Sequence, residues 1–216
     1  MGITHFKLTR AAAVCAAVAG LLFVFVQFIH PDETVANVTT TTWTFTHVLT
    51  LAMAVLAVIG ITAMYLRQVR ETGLLGLIGY ALFTLGFLIV MAFTFVEVAV
   101  LPTLADEVPQ YVNDVLATVI GEDVIGDVGG LAIANVAAAV GFLLGGLLFG
   151  VALFRARVLY RWASLLLAIG AVGTLLVAVL PHSLDRLAAF PIGVALVGLG
   201  VSLWQSPTAT GEPFAT

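Results

Sequence analysis

The sequence predicts an all-α fold: an integral membrane bundle of six transmembrane helices, with a short amphipathic helix in the outer loop between spans three and four. Three observations carry that prediction. Hydrophobic residues make up 62% of the 216-residue chain and charged residues only 9%, against about half and about a quarter in soluble domains. The mean hydropathy is +1.17. The apolar residues gather into runs long enough to cross about 30 Å of hydrocarbon, which takes roughly 20 helical residues. The expected spans are Ala11–Ile29, Trp43–Leu66, Leu74–Leu101, Leu131–Phe154, Trp162–Leu180 and Leu187–Trp204, forming one membrane domain over residues 1–216. Runs such as Leu165-Leu166-Leu167-Ala168-Ile169 exclude the short alternating strands of a membrane β-barrel.

The first span follows Lys7 and Arg10, as the apolar core of a signal peptide would. It is long, however, and it ends in Ile29-His30-Pro31 rather than at small residues, so it is expected to be retained. Its Cys15 is the only cysteine. No disulfide can form within the chain, and a thiol in an alanine-rich run is expected to be buried. The second span opens on Trp43 and carries His47. The third ends near Glu97, the one formal charge inside a span.

The loop that follows is long and acidic. Within it Val112, Val115, Leu116, Val119 and Ile120 fall on one helical face. Pro109 suits a first helical position and Gly121 a stop. This segment is expected to lie as an amphipathic helix on the outer membrane face.

Span four aligns Ala137, Gly141 and Gly145, with Gly146 and Gly150 on an adjacent strip. Span five aligns Gly170, Thr174 and Ala178. Small residues at this spacing allow close helix approach. Spans four and five are therefore expected to pair, with a membrane protein partner or homo-oligomer as the other use of these strips. Pro191 falls near the start of span six, where it is tolerated. No mid-span break is evident.

Orientation follows the basic residues. Lys7, Arg10, Arg67, Arg70, Arg155, Arg157 and Arg161 fall on one side of a six-span arrangement, and Arg186 alone on the other. The second side collects Asp32, Glu33, Asp106, Glu107, Asp114, Glu122, Asp123, Asp127 and Asp185. Both termini are expected in the cytoplasm of a plasma membrane protein. Trp162, Trp204 and Tyr65 would anchor one interface and Trp43 the other. One lysine against seven arginines points to a high-GC or salt-adapted prokaryotic host.

Net charge is −4, which excludes a basic nucleic-acid footprint. No H-E-x-x-H, Gly-x-Ser-x-Gly, intramembrane aspartate pair, Walker loop or arginine row occurs. These absences remove the corresponding protease, hydrolase, ATPase and voltage-sensor chemistries.

What remains is a small polar inventory at one depth. Counted from the opposite span ends at about 1.5 Å per residue, His47 and Asn135 stand at roughly 29 Å and Glu97 at roughly 35 Å. His30 and His182 close spans at the same boundary. Imidazole is the commonest metal ligand, and a carboxylate completes many sites. Histidines on facing helices can also hold haem iron. His47, Glu97, His30 and His182 are thus candidate metal ligands, and Asn135 a further candidate in the binding site. A transition metal or haem is the cofactor such a set would take, in a binding or redox module. The same residues also fit a polar lock in a non-catalytic structural or accessory subunit. A small-solute or proton-coupled transporter titrating Glu97 is the third reading. No motif ties the chain to a named family.

Overall fold

The computed structural model describes residues 2–175 and 186–206. His182 and the end of the expected fifth span lie outside the described residues. Among the described residues every regular element is helical.

Helix α1 (His5–Ile29) starts where Thr4 turns its hydroxyl onto the Lys7 amide, and α2 (Thr41–Leu66) where Thr40 does the same for Trp43. These caps satisfy amides that have no intrahelical partner. Helix α3 runs Val69–Ala99, but Gly73 interrupts its first turn at φ 55°. That backbone conformation suits glycine, and the long apolar rod begins at Leu74. A four-residue turn, α4 (Leu101–Leu104), leads to α5 (Pro109–Ile120). Helix α5 starts on Pro109 and stops at Gly121, whose φ is 78°.

Helices α6 (Gly130–Val140) and α7 (Gly146–Ala156) continue one another through a π-helical turn, Gly141–Gly145. Helix α8 is Arg161–Gly173. A 3₁₀ turn, Arg186–Ala189, precedes α9 (Phe190–Gln205). Five rods are long and apolar enough to cross a membrane: His5–Ile29, Thr41–Leu66, Val69–Leu104, Gly130–Ala156 and Leu187–Gln205. Within the described residues α8 is a 13-residue apolar helix, shorter than these five rods.

The long helices form a ring. Each of α1, α2, α3, the α6–α7 rod, α8 and α9 packs on the next, and α9 returns to α1. Arg10 lies 4.5 Å over the Trp204 ring, so the first and last helices share one end of the bundle. Glycine and alanine hold the neighbours close. A Cβ on Gly20 would come within 2.8 Å of the Val197 nitrogen, and one on Gly60 within 2.8 Å of the Ala16 Cα.

The glycine strips of the α6–α7 rod divide between two neighbours. Gly141 and Gly145 press on α3, at Gly86 and Phe83, whereas Gly150 presses on α8, at Ala168. The expected pairing of spans four and five therefore rests on Gly146 and Gly150. The more conspicuous strip is filled by α3.

Phe83, Phe87, Phe149, Leu167 and Leu196 fill the middle of the ring, all fully buried. Large side chains such as Val55, Ile59, Leu85, Val136, Ile169 and Val201 face outward. That apolar girdle suits a lipid surround. Cys15 is half-buried rather than enclosed.

A second, smaller core lies under α5. Val112, Val115 and Leu116 pack with Val38, Trp43, Phe93 and Leu101. The apolar face of this helix is thus turned onto protein side chains, because the start of α2 and the end of α3 offer it a partner. Ile120 stays exposed. Trp43, expected at a lipid interface, is fully buried in this core.

Candidate metal centre

The end of α1 and the start of α2 meet beside the end of α3, and three of the sequence candidates converge there. His30 ends α1, its amide bonded to the Val26 carbonyl at 2.9 Å. His47 lies on the inner face of α2 and is 1% exposed. Glu97 comes from the last turn of α3 and is 6% exposed. The His30 and His47 rings stand 5.1 Å apart, centroid to centroid. Glu97 Oε2 lies 3.5 Å from His47 Nε2.

Trp43 organises the group. It precedes His47 by one turn, and its ring stacks on the imidazole at 4.0 Å. Its indole N–H donates to the Glu97 carbonyl at 2.9 Å, tying α2 to α3. Its own carbonyl lies 2.8 Å from His47 Nδ1. A carbonyl only accepts, so Nδ1 must carry the proton. The Nε2 lone pair of a neutral His47 is then left pointing away from the helix backbone. It has no hydrogen-bond partner among the described residues. Nε2 and the Glu97 oxygen oppose lone pair to lone pair unless a proton or a cation lies between them. The His30 Nδ1 lies 2.9 Å from the Pro31 carbonyl, which places its proton on that nitrogen when the ring is neutral.

Glu33 completes the cluster, with its Oε1 3.6 Å from His30 Nδ1. One ligand-type atom from each of His30, Glu33 and His47 lies within 4.8 Å of the others. Sequence reasoning placed Glu33 only among the loop acids. The signal that could have found it is His30-x-x-Glu33, a spacing that keeps both side chains on one side of a turn.

Asn135 does not join this group. Its amide donates to the Thr118 carbonyl at 2.7 Å, fastening α5 to α6. Equal height along the bundle left its direction around the helix open, and Thr118 supplied the partner. His182 lies outside the described residues.

His30 and Glu33 also form part of the wall of a cleft of about 1010 Å³, which opens inside the ring at this end. His47 and Glu97 are not among its lining residues. No family model matches the chain, and neither the curated proteins nor the solved structures contain a match to it.

Proposed function

We propose that the chain is a multi-pass helical membrane protein that binds one first-row transition-metal ion through His47 Nε2, His30 and Glu33. Glu97 Oε2 lies 3.5 Å from that Nε2 without a hydrogen bond to it, close enough to join the same ion. In this reading six helices span a plasma membrane, both termini are cytoplasmic, and α5 covers the outer end where the metal sits. The lipid bilayer is its surrounding partner.

The observation that carries the reading is the buried, unpartnered Nε2 of His47. Its tautomer is set by Trp43, and two further donors stand within 4.8 Å. Leaving such a buried acceptor unsatisfied costs about 1–3 kcal/mol. Two imidazoles and a carboxylate suit zinc, iron(II) and their neighbours, with further positions free for water or a ligand. Donors on a tetrahedral ion lie about 3.4 Å apart at bond lengths near 2.1 Å. The cluster would therefore close by about an ångström around the metal.

The ring spacing favours a single ion over haem. Imidazoles on opposite faces of a haem iron have centroids about 6.4 Å apart, whereas two at a tetrahedral angle on one ion stand about 5.2 Å apart. The observed 5.1 Å matches the second case.

The test is metal analysis of protein purified in mild detergent, with chelators avoided and any affinity tag removed. The metal-free form is then titrated with cobalt(II). The expected result is one ion per chain, with visible bands of a low-coordinate site. His47→Ala and His30→Ala should each weaken binding more than 100-fold while the helical circular dichroism persists. Equal cobalt affinity in His47→Ala would overturn the proposal. So would no bound ion at all, and Trp43, His47 and Glu97 would then act as a polar lock between α2 and α3.

A further inference from the structure

The end of the bundle opposite the candidate metal centre collects positive charge. It is formed by the start of α1, the turns joining α2 to α3 and α7 to α8, and the end of α9. Lys7, Arg70, Arg155, Arg157 and Arg161 are exposed there, and Arg10 is half-buried. With Arg67 the chain order puts seven basic residues on this side and two acids, Glu71 and Glu212. Pairing both acids still leaves a surplus of five cations.

Arg10 is held in place. Its guanidinium carbon lies 4.3 Å from the centre of the Phe6 ring and 4.5 Å from that of Trp204. Its Nε is buried without a hydrogen-bond partner, and among the described residues its side chain has no ion pair. Ring contacts favour the charge but supply no acceptor oxygen. Arginine offers five N–H donors in a flat fork that matches two oxygens of a phosphate. The frame around it is fixed. The Tyr160 amide donates to Ser202 Oγ at 2.9 Å and the Tyr160 hydroxyl donates to Gln205. These bonds tie the start of α8 to the end of α9, whose Trp204 meets Arg10. Phe6, Trp204 and Trp162 remain exposed, so apolar ring surface stands beside the unanswered donors.

We infer that Arg10, between Phe6 and Trp204, anchors the phosphate of an anionic phospholipid in the leaflet at this end. The fork recognises the phosphate, and the exposed rings favour a headgroup that carries acyl chains over a free anion. The surplus of cations sets the headgroup class. A zwitterionic headgroup brings its own ammonium, which the neighbouring cations repel, whereas a glycerol headgroup brings none. This inference rests on the membrane-spanning reading and is independent of the metal site, which lies at the other end of α1.

The experiment is native mass spectrometry of the full chain in mild detergent, titrated with phosphatidylglycerol or with phosphatidylcholine of the same acyl chains. The expected result is one phosphatidylglycerol held about tenfold more tightly than phosphatidylcholine. Arg10→Gln should bring the two lipids level. Arg10→Lys keeps the charge but not the fork and should fall between. Arg157→Gln removes a cation for which no ring contact is seen and should change the affinity less than about threefold. Phe6→Leu, at an exposed position, should weaken binding about two- to fivefold, which keeps the site testable if Arg10→Gln does not fold. His47→Ala should bind the lipid like the wild type, which separates this outcome from that of the metal proposal. Equal affinity for the two lipids, equal losses in Arg10→Gln and Arg157→Gln, or displacement of the lipid by equimolar inorganic phosphate would each overturn the inference. A chain that stays monodisperse without detergent would overturn the membrane-spanning reading itself.

Discussion

Asp114 offers the sharpest test of how the outer end is built. It sits on α5 and is 2% exposed. Its two oxygens accept from the Ile125 amide at 3.2 Å and the Gly126 amide at 2.9 Å, and the Gln110 side chain donates to it at 3.0 Å. One carboxylate thus holds the loop that runs from α5 to α6, Glu122 included. Hydrogen bonds to a charged group contribute about 1.5–3 kcal/mol each. Asp114→Asn keeps one acceptor oxygen and turns an NH₂ toward the other amide, so one bond is lost and a repulsion appears. At about 1.4 kcal/mol per tenfold, local opening at Gly126 should become about 10- to 100-fold more frequent. Asp114→Ala, which loses all three bonds, should be worse. Gly126→Ala gives an independent check, because a Cβ there would lie 2.8 Å from Asp114 Oδ2. Hydrogen exchange read by mass spectrometry over residues 121–130 measures the effect directly. The expected outcome is faster exchange in that peptide with α1–α3 unchanged. Identical exchange in Asp114→Asn and wild type would refute the anchoring argument.

Three further outcomes follow from other contacts. Gly145→Ala drives a methyl into the Phe83 backbone, where overpacking costs about 1–3 kcal/mol. Gly130→Ala meets no atom within 4 Å and should be neutral or slightly stabilising; equal thermal midpoints of the two variants in detergent would contradict the ring packing. Trp43→Phe removes the donor to the Glu97 carbonyl and loosens the stack on His47, so cobalt(II) affinity should fall about 10- to 100-fold, a loss that titration would show or fail to show. Ser202→Ala removes the hydroxyl that accepts the Tyr160 amide at 2.9 Å; it should lower stability by about 1 kcal/mol, read as a small drop in the same thermal midpoint.

The parts of this fold legible in the sequence are those set by each helix alone. Lipid leaves every backbone group to be satisfied within its own segment, so apolar run length finds five of the six expected rods, the described part of the fifth being a 13-residue helix. Leu74, Gly121 and Pro109 mark real boundaries because glycine and proline act locally on the backbone. Helix-to-helix direction is different. His47 and Glu97 were matched by height, and they do meet. Asn135 has a matching height but turns to Thr118. Counting residues gives the axial coordinate and says nothing about which neighbour stands on which side. The same limit hid Trp43, whose interfacial character is a statistical habit and whose place here is set by His47 four residues on. The π-helical turn had no signal beyond a glycine at each end, and a five-residue change of pitch leaves hydropathy untouched.

Why the candidate site and the cleft share one end follows from the distribution of small and large side chains. Where helices cross through Gly20, Gly60, Gly145 and Gly150, backbones approach so closely that little space is left between them. Phe83, Phe87 and Phe149 occupy the centre that the ring still encloses. Beyond Phe142 that filling stops. Among the described residues α6 leans on α3 and α5, and no fully buried aromatic residue lies between α1 and α6. The cleft of about 1010 Å³ lies there, bordered by Phe23 and Phe142. A polar side chain placed at this level gains access to solvent and ions that the same residue would lack three turns deeper. His47 lies just behind that opening, buried enough to have a fixed tautomer, with His30 and Glu33 in the wall between it and the cleft. Small residues that close one part of the bundle thus leave the cleft, and the buried His47 behind it, at the other.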